Sequence, residues 1–337
     1  MKYIVCEEPG NFQLKEKGAP KFGEHEVLLQ IKTIGICGTD LHAYAGNQAF
    51  FQYPRILGHE LGAQVLETGN QVDGVKVGDR VVVMPYLSCG KCIACRKGKT
   101  NCCTNIEVLG VHTDGGMQER IVVPADILLE VNDLNFSEIA IIEPLAIGAH
   151  AFRRASIEEG EYIVVVGSGP IGLGIMKLAQ IQGAKVIAVD VVESRLTFAK
   201  EQIGVDFVVN ALENPVEAIA EITGGDLATA VFDASGNKRA LESGPDYMSH
   251  GGRYILVGLS KGELTFHHPS IHAKETTIIC SRNATFEDFQ LVIDVLKTGR
   301  FPTDAFVTHR VAFDDMIAHF EGWLDPKAGV IKAMVEI

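Results

Sequence analysis

The sequence predicts an α/β protein of two domains, one mostly β and one built on a doubly wound parallel sheet. Up to about residue 130, short apolar segments are separated by Gly and Pro turns, as in a partly closed barrel. From Gly160 onward, strand-like runs alternate with helical ones, the pattern of a parallel sheet covered on both faces. With 337 residues, 47% of them hydrophobic and 22% charged, the chain is long enough for two cores.

In chain order, Val27, Leu29, Ile31 and Thr33 share one face while Gln30 and Lys32 take the other, so a half-buried strand delivers the chain to Cys37. There follow Cys37-Gly38-Thr39-Asp40-Leu41-His42 and then Gly58-His59-Glu60. A thiolate, an imidazole and a carboxylate brought together suit zinc, and three protein ligands with an open position make a catalytic rather than a structural site. Taken alone, a Cys is more often a small core residue and a His beside Gly a turn residue. Further strands are expected at Gly62–Glu67 and Val81–Met84, with Gly78-Asp79-Arg80 as the turn between them.

Cys89, Cys92, Cys95 and Cys103 read as C-x2-C-x2-C-x7-C. Four thiolates at this density can surround one tetrahedral ion at about 2.3 Å and leave no open position, so a structural zinc lobe is expected over about residues 88–104. Spacing alone leaves Cys102 and Cys103 as alternatives for the fourth ligand. Ser137 is expected to cap a short helix with Glu138 in its first turn. Glu143, just before Pro144, falls near the start of a second helix running through His150, where its carboxylate either caps or points into a cleft.

Tyr162–Val166 is a continuous β-branched run, followed by Gly167-Ser168-Gly169-Pro170-Ile171-Gly172, an apolar helix to about Gln182 and a second strand ending at Asp190. A lone G-x-G-x-x-G is weak, but this one follows a strand, opens a helix and has an acid at the next strand end, the context of a dinucleotide site. Gly167 permits the turn, Gly169 lets the backbone approach a pyrophosphate, and Gly172 lets helix and strand pack closely. The helix N-terminus supplies the partial positive charge. Asp190 can accept from a ribose 2′-hydroxyl and would repel a 2′-phosphate, which favours NAD over NADP. Strands at Phe207–Val209, Ala230–Asp233, Tyr254–Gly258 and Thr276–Cys280 complete the sheet. The tail from about residue 285 is expected to return to the first domain, leaving a cofactor cleft between the two.

The balance of 30 basic against 43 acidic residues, a formal net charge of −13, leaves no footprint for nucleic acid or an anionic membrane. No apolar span approaches the roughly 20 residues of a membrane helix, and the N-terminal stretch turns acidic early, so a cytoplasmic protein is expected. Eight cysteines in such a chain suggest metal ligands or core residues rather than disulfides.

Together these motifs resemble the medium-chain zinc-dependent alcohol and polyol dehydrogenases over nearly the whole chain. The resemblance implies a GroES-like catalytic domain at residues 1–151 and 285–337, and a Rossmann NAD-binding domain at 152–284. It makes Cys103 the fourth lobe ligand and Cys102 the spare. It implies two zinc ions per chain, the catalytic one on Cys37, His59 and Glu143 directly or through water, with Glu60 as a further inner or outer partner and Asp40 orienting His59. The alcohol dehydrogenase branch uses a cysteine as the third ligand, and none lies between Cys103 and Cys280; Ile142-Glu143-Pro144-Leu145 matches the sorbitol dehydrogenase branch instead. Thr39 would take the substrate proton and pass it through the cofactor ribose to His42, a water path being the alternative, and Arg195 joins Gly167, Gly169, Pro170, Ile171, Gly172 and Asp190 on the cofactor.

The stretches Gly46–Arg55, Lys261–Leu264, Lys274–Thr277 and Ser281–Thr285 look like those of bacterial sugar-acid dehydrogenases, pointing to an L-galactonate-like aldonate. Arg282, with Asn283 beside it, is the candidate for the carboxylate, against the bland reading of a surface arginine. The alternatives are a neutral polyol substrate, or a non-catalytic NAD-binding scaffold with only the lobe zinc. A nucleic-acid-binding zinc protein is disfavoured by the charge. The resemblance also implies a homodimer or homotetramer.

Overall fold

A computed structural model describes residues 1–48 and 51–337. Within the stretch Gly46–Arg55, Ala49 and Phe50 therefore lie outside the described residues. The chain divides into two compact units, Met1–Pro144 with Thr285–Ile337, and Leu145–Ala284. The division falls inside a helix, earlier than the expected boundary at residues 151–152.

In the first unit β1 (Lys2–Glu8) and β2 (Asn11–Glu16) form an antiparallel hairpin. The main sheet is centred on β3 (Glu26–Ile36), whose alternation of apolar residues with Gln30 and Lys32 suits a strand with one face on the core. After helix α1 (Gly38–Tyr44) come β4 (Glu60–Thr68), β5 (Arg80–Val83), the short β6 (Tyr86–Leu87), helix α2 (Ile93–Arg96), β7 (Glu107–Val108), β8 (Arg120–Pro124) and β9 (Leu128–Glu130). β4 and β8 both pair antiparallel with β3, and bulges interrupt the β3–β4 register where the sheet coils. Ile34, Leu61, Val81 and Ala333 fill the core between the layers.

Helix α3 (Phe136–Ala140) is capped by Asn135, not by Ser137 as expected. The Asn135 side chain accepts from Glu138 N at 3.0 Å, while Glu138 Oε2 accepts from Asn135 N at 2.8 Å, a reciprocal capping box two residues earlier than the serine suggested. Helix α4 (Ile142–Ala155) follows at once and carries Glu143 in its first turn.

The second unit is a six-stranded parallel sheet of β10 (Tyr162–Val166), β11 (Lys185–Asp190), β12 (Phe207–Asn210), β13 (Ala228–Asp233), β14 (Met248–Leu256) and β15 (Thr277–Cys280). Helix α5 (Pro170–Gln182) connects β10 to β11 and stops at Gly183, whose φ of 91° is left-handed. The order β12-β11-β10-β13-β14-β15 reverses direction beside β10, and that reversal point is where doubly wound sheets bind ligands. The chain then returns to the first unit through the helix Phe286–Lys297, β16 (Val307–Ala312) and β17 (Lys332–Glu336), and β17 pairs antiparallel with β3.

Candidate active site

The first cluster is assembled where β3 ends. Cys37 is the N-cap of α1, and Asp40 in its first turn accepts from Cys37 N at 2.9 Å through Oδ2. Through Oδ1 it accepts from Gly58 N at 3.3 Å, so one buried carboxylate ties together the loops that carry Cys37 and His59. Asp40 Oδ1 lies 3.8 Å from His59 Nδ1, beyond hydrogen-bond range, so its hold on His59 runs through the backbone of Gly58. His59 Nδ1 is buried and has no hydrogen-bond partner. The ligand atoms of Cys37, His59 and Glu60 lie within 4.8 Å of one another.

Glu60 belongs to this group, whereas Glu143, the expected third ligand, stands outside it close enough for its charge to act on His59, and the two carboxylates are held differently. Glu60 opens β4 opposite Gly35 of β3. A Cβ on Gly35 would stand 2.1 Å from Glu60 Oε2, so the strand needs glycine there to admit the carboxylate. Lys332, the first residue of β17, donates to both Glu60 oxygens at 2.7 Å and to Ile36 O at 3.0 Å. This ion pair is buried, with side-chain exposures of 2% and 0%. Glu143 is buried too, and its Oε1 accepts from the Tyr86 hydroxyl.

Burial alone would depress the His59 imidazole, but the nearby Cys37 thiolate, then Asp40, raise it well above its ordinary 6.5. Burial raises Glu143, and burial followed by the Glu143 charge raises Tyr86 well above 10.0. A sulfur, a ring nitrogen and buried carboxylate oxygen, with an orphaned imidazole nitrogen among them, fit zinc in a site of the catalytic kind.

Cys89, Cys92, Cys95 and Cys103 form the second convergent group among the described residues, and Cys102 is exposed outside it. Backbone N–H groups of Cys95 and Thr104 hold the Cys92 thiol down at about 5, and those of Lys91 and Cys92 lower Cys89. These donors favour thiolates, the form a metal needs. Four sulfurs without an open place fit a structural zinc.

In the second unit a Cβ on Gly172 would lie 1.9 Å from the Gly167 carbonyl oxygen, so the first turn of α5 closes directly onto the loop. At Gly169 the one atom of the described residues, chain neighbours aside, within 4 Å of such a Cβ is Arg195 Nη1 at 3.9 Å, which leaves the backbone open to an approaching phosphate and puts a guanidinium beside it. Pro170 and Ile171 form the first turn of α5. Asp190 ends β11 and accepts from Ser168 N at 2.7 Å and from Val192 N at 3.0 Å, fixing the loop to the strand end. The cradle fits a dinucleotide.

Thr39 lies half-buried on α1, and His42 on the same helix is exposed, its Nδ1 2.7 Å from Asn47 Oδ1. Neither belongs to the convergent metal groups. Arg282 and Asn283 follow β15 in the second unit, Arg282 exposed and Asn283 left-handed at φ 51°. The structure adds Tyr86 and Lys332, which sequence reasoning passed over. Lys332 left a signal, since it is a lone charge inside Val330-Ile331-Lys332-Ala333-Met334-Val335; Tyr86 left none. No helix among the described residues is long and apolar enough to cross a membrane.

Two family models match the chain, the alcohol dehydrogenase GroES-like domain over residues 23–133 and the zinc-binding dehydrogenase over residues 170–298. The chain is 40% identical over 335 residues to L-galactonate-5-dehydrogenase of Escherichia coli K12, covering 99% of this chain and 98% of that protein. It is 32% identical over 311 residues to sorbitol dehydrogenase of Halalkalibacterium halodurans, covering 91% and 90%. Among solved structures, an alcohol dehydrogenase (rspB) from E. coli CFT073 complexed with NADH matches with a TM-score of 0.92 at 33% identity, covering 100% of this chain and 99% of that one.

Proposed function

We propose, from the premise that the chain belongs to the zinc-binding alcohol dehydrogenase family, that it oxidises a secondary alcohol of a sugar acid with NAD as the hydride acceptor. The enzyme is an oxidoreductase acting on CH–OH donors. The observation that carries the reaction type is the convergence of Cys37, His59 and Glu60 beside buried Glu143. A binding scaffold has no use for such an open-sided donor set.

Zinc bound there supplies a Lewis acid that makes a hydroxyl far more acidic. Cys37 and His59 would hold the ion, with Glu143 as the carboxylate partner and Glu60 next to it. Overall, bound NAD would supply the hydride acceptor and solvent the proton acceptor, so that a carbinol would yield a ketone, NADH and H⁺. In this reading Thr39 would accept the hydroxyl proton and His42 would discharge it at the surface. Asn47 Oδ1 can only accept, so Nδ1 of His42 donates to it and Nε2 is the nitrogen that takes a proton. Asp190 and Arg195, with the loop Gly167–Gly172, hold the dinucleotide, and the acid at Asp190 favours NAD.

The sugar-acid substrate is supported by the 40% identity to L-galactonate-5-dehydrogenase and by the exposed cation Arg282 with Asn283 beside it. The relationship to a sorbitol dehydrogenase favours the second reading, a neutral polyol. NADH formation at 340 nm with L-galactonate, L-gulonate and L-idonate beside sorbitol, galactitol and xylitol decides between them. Turnover confined to aldonates is expected, and Arg282→Met then raises KM for the aldonate far more than for any neutral polyol. Equal effects on both would remove Arg282 from carboxylate recognition. Sedimentation of the purified enzyme tests the homodimer or homotetramer expected of the family.

A further inference from the structure

We infer that Tyr86 is a positioning residue for the catalytic metal, fixing Glu143 so that a single carboxylate oxygen faces the cluster of Cys37 and His59. The inference rests on the reading of Glu143 as a partner of the metal.

The argument begins with the contrast between the two buried carboxylates. Glu60 is neutralised by a buried ammonium that bonds both its oxygens. Its attraction for a dication is correspondingly reduced. Glu143 instead accepts from a neutral phenol on one oxygen, Oε1. A phenol has one proton to donate. With Oε1 engaged by that proton, Oε2 is the oxygen that keeps both lone pairs for a metal, directly or through one water.

The phenol is itself well anchored. Tyr86 is 5% exposed, sits on β6, and its ring meets the Phe289 ring edge-on at a centroid distance of 6.4 Å. Phe289 is wholly buried in the helix Phe286–Lys297. The hydroxyl therefore has little freedom, and it transmits that restriction to Glu143. Hydrogen bonds to the far side of a metal-binding group commonly set its orientation, and losing one costs about 10- to 100-fold in metal affinity or activity. β6 also runs directly into the segment bearing Cys89 and Cys92, so the same strand that opens the structural lobe steadies the catalytic carboxylate.

The test uses full-length enzyme with the lobe zinc in place. Cobalt(II) is exchanged into the catalytic site, and its affinity and visible spectrum are followed by chelator competition in wild type, Tyr86→Phe, Glu143→Ala and the double variant. Tyr86→Phe removes one oxygen and little else. The expected result is an about 10- to 100-fold loss of affinity with an altered cobalt spectrum in Tyr86→Phe, and no further loss when the change is added to Glu143→Ala. kcat falls in parallel while KM for NAD stays put. Unchanged affinity and spectrum in Tyr86→Phe, with a loss in Glu143→Ala, would overturn the role of Tyr86 and leave Glu143 in place. An equal loss in both backgrounds would show Tyr86 acting independently of Glu143. No loss in Glu143→Ala would remove Glu143 from the metal site, and the inference with it.

Discussion

A lysine with a side chain 2% exposed, bonded to a glutamate with none, marks a place where removing one partner is costly. Lys332→Met leaves the Glu60 carboxylate buried without its cation, and breaking such a pair costs about 3–5 kcal/mol. The expected outcome is a large drop in Tm for the metal-free protein, partly restored when zinc is added, since a dication can replace the lost ammonium. Lys332→Met combined with Glu60→Gln should recover much of the loss, because no charge is then left alone. A double variant as unstable as Lys332→Met would show that Lys332 contributes by packing and not by charge. This pair also shows where sequence reading stops. Cys37, His59 and Glu60 are visible because their residue types and neighbouring glycines form motifs. Lys332 and Tyr86 act through pairings made by distant parts of the chain, β17 on β3 and β6 against the start of α4; the lone charge of Lys332 in an apolar run marks it as unusual, but no local pattern names the partner of either. Gly35 is the sequence's trace of the same contact, a glycine in the middle of a strand whose reason is a carboxylate on the neighbouring strand.

At the level of elements, the strands and the nucleotide-binding turn were legible because period and punctuation agree. The run Tyr162–Val166, the glycine fingerprint, Gly183 and Asp190 each mark a physical boundary, and the structure places β10, α5 and β11 between them. The cap of α3 was misplaced because Asn135 and Ser137 are both good N-cap residues and both precede an acid or an apolar turn. What decides is reach: Glu138 sits three residues after Asn135 and can close a reciprocal box with it. Asn135→Ala is therefore expected to lower stability by about 0.5–2 kcal/mol in urea unfolding. Ser137→Ala, which removes only an acceptor for Arg310 at 2.8 Å, should cost under about 0.5 kcal/mol. Equal losses would contradict the capping box. For the lobe, Cys103→Ser should release one zinc per chain on metal analysis, whereas Cys102→Ser should retain the full complement, because only Cys103 lies in the four-sulfur group.

The two units differ in how the chain builds them, and that difference has a consequence for folding. The second unit is one continuous segment, Leu145–Ala284, and all six strands of its sheet come from within it. The first unit is interrupted. Its central strand β3 is flanked on one side by β17, which arrives only after the whole second unit has been made. Lys332 arrives with β17, so both the neighbour of the Thr33–Ile36 end of β3 and the counter-charge of Glu60 come from the segment after the second unit. A fragment of residues 142–284, which keeps helix α4 whole, is accordingly expected to fold and to quench or shift NADH fluorescence. A fragment of residues 1–144 should remain unfolded by circular dichroism, with or without zinc at the catalytic cluster. It would keep β8 on Glu26–Gln30 but leave the Thr33–Ile36 end of β3 without its β17 neighbour, and Glu60 buried without a cation. Adding residues 285–337 through a short Gly/Ser linker in place of the second unit should restore a cooperative melt. If residues 1–144 fold alone with an unaltered zinc affinity, the C-terminal return is an accessory to the catalytic unit and not part of its core.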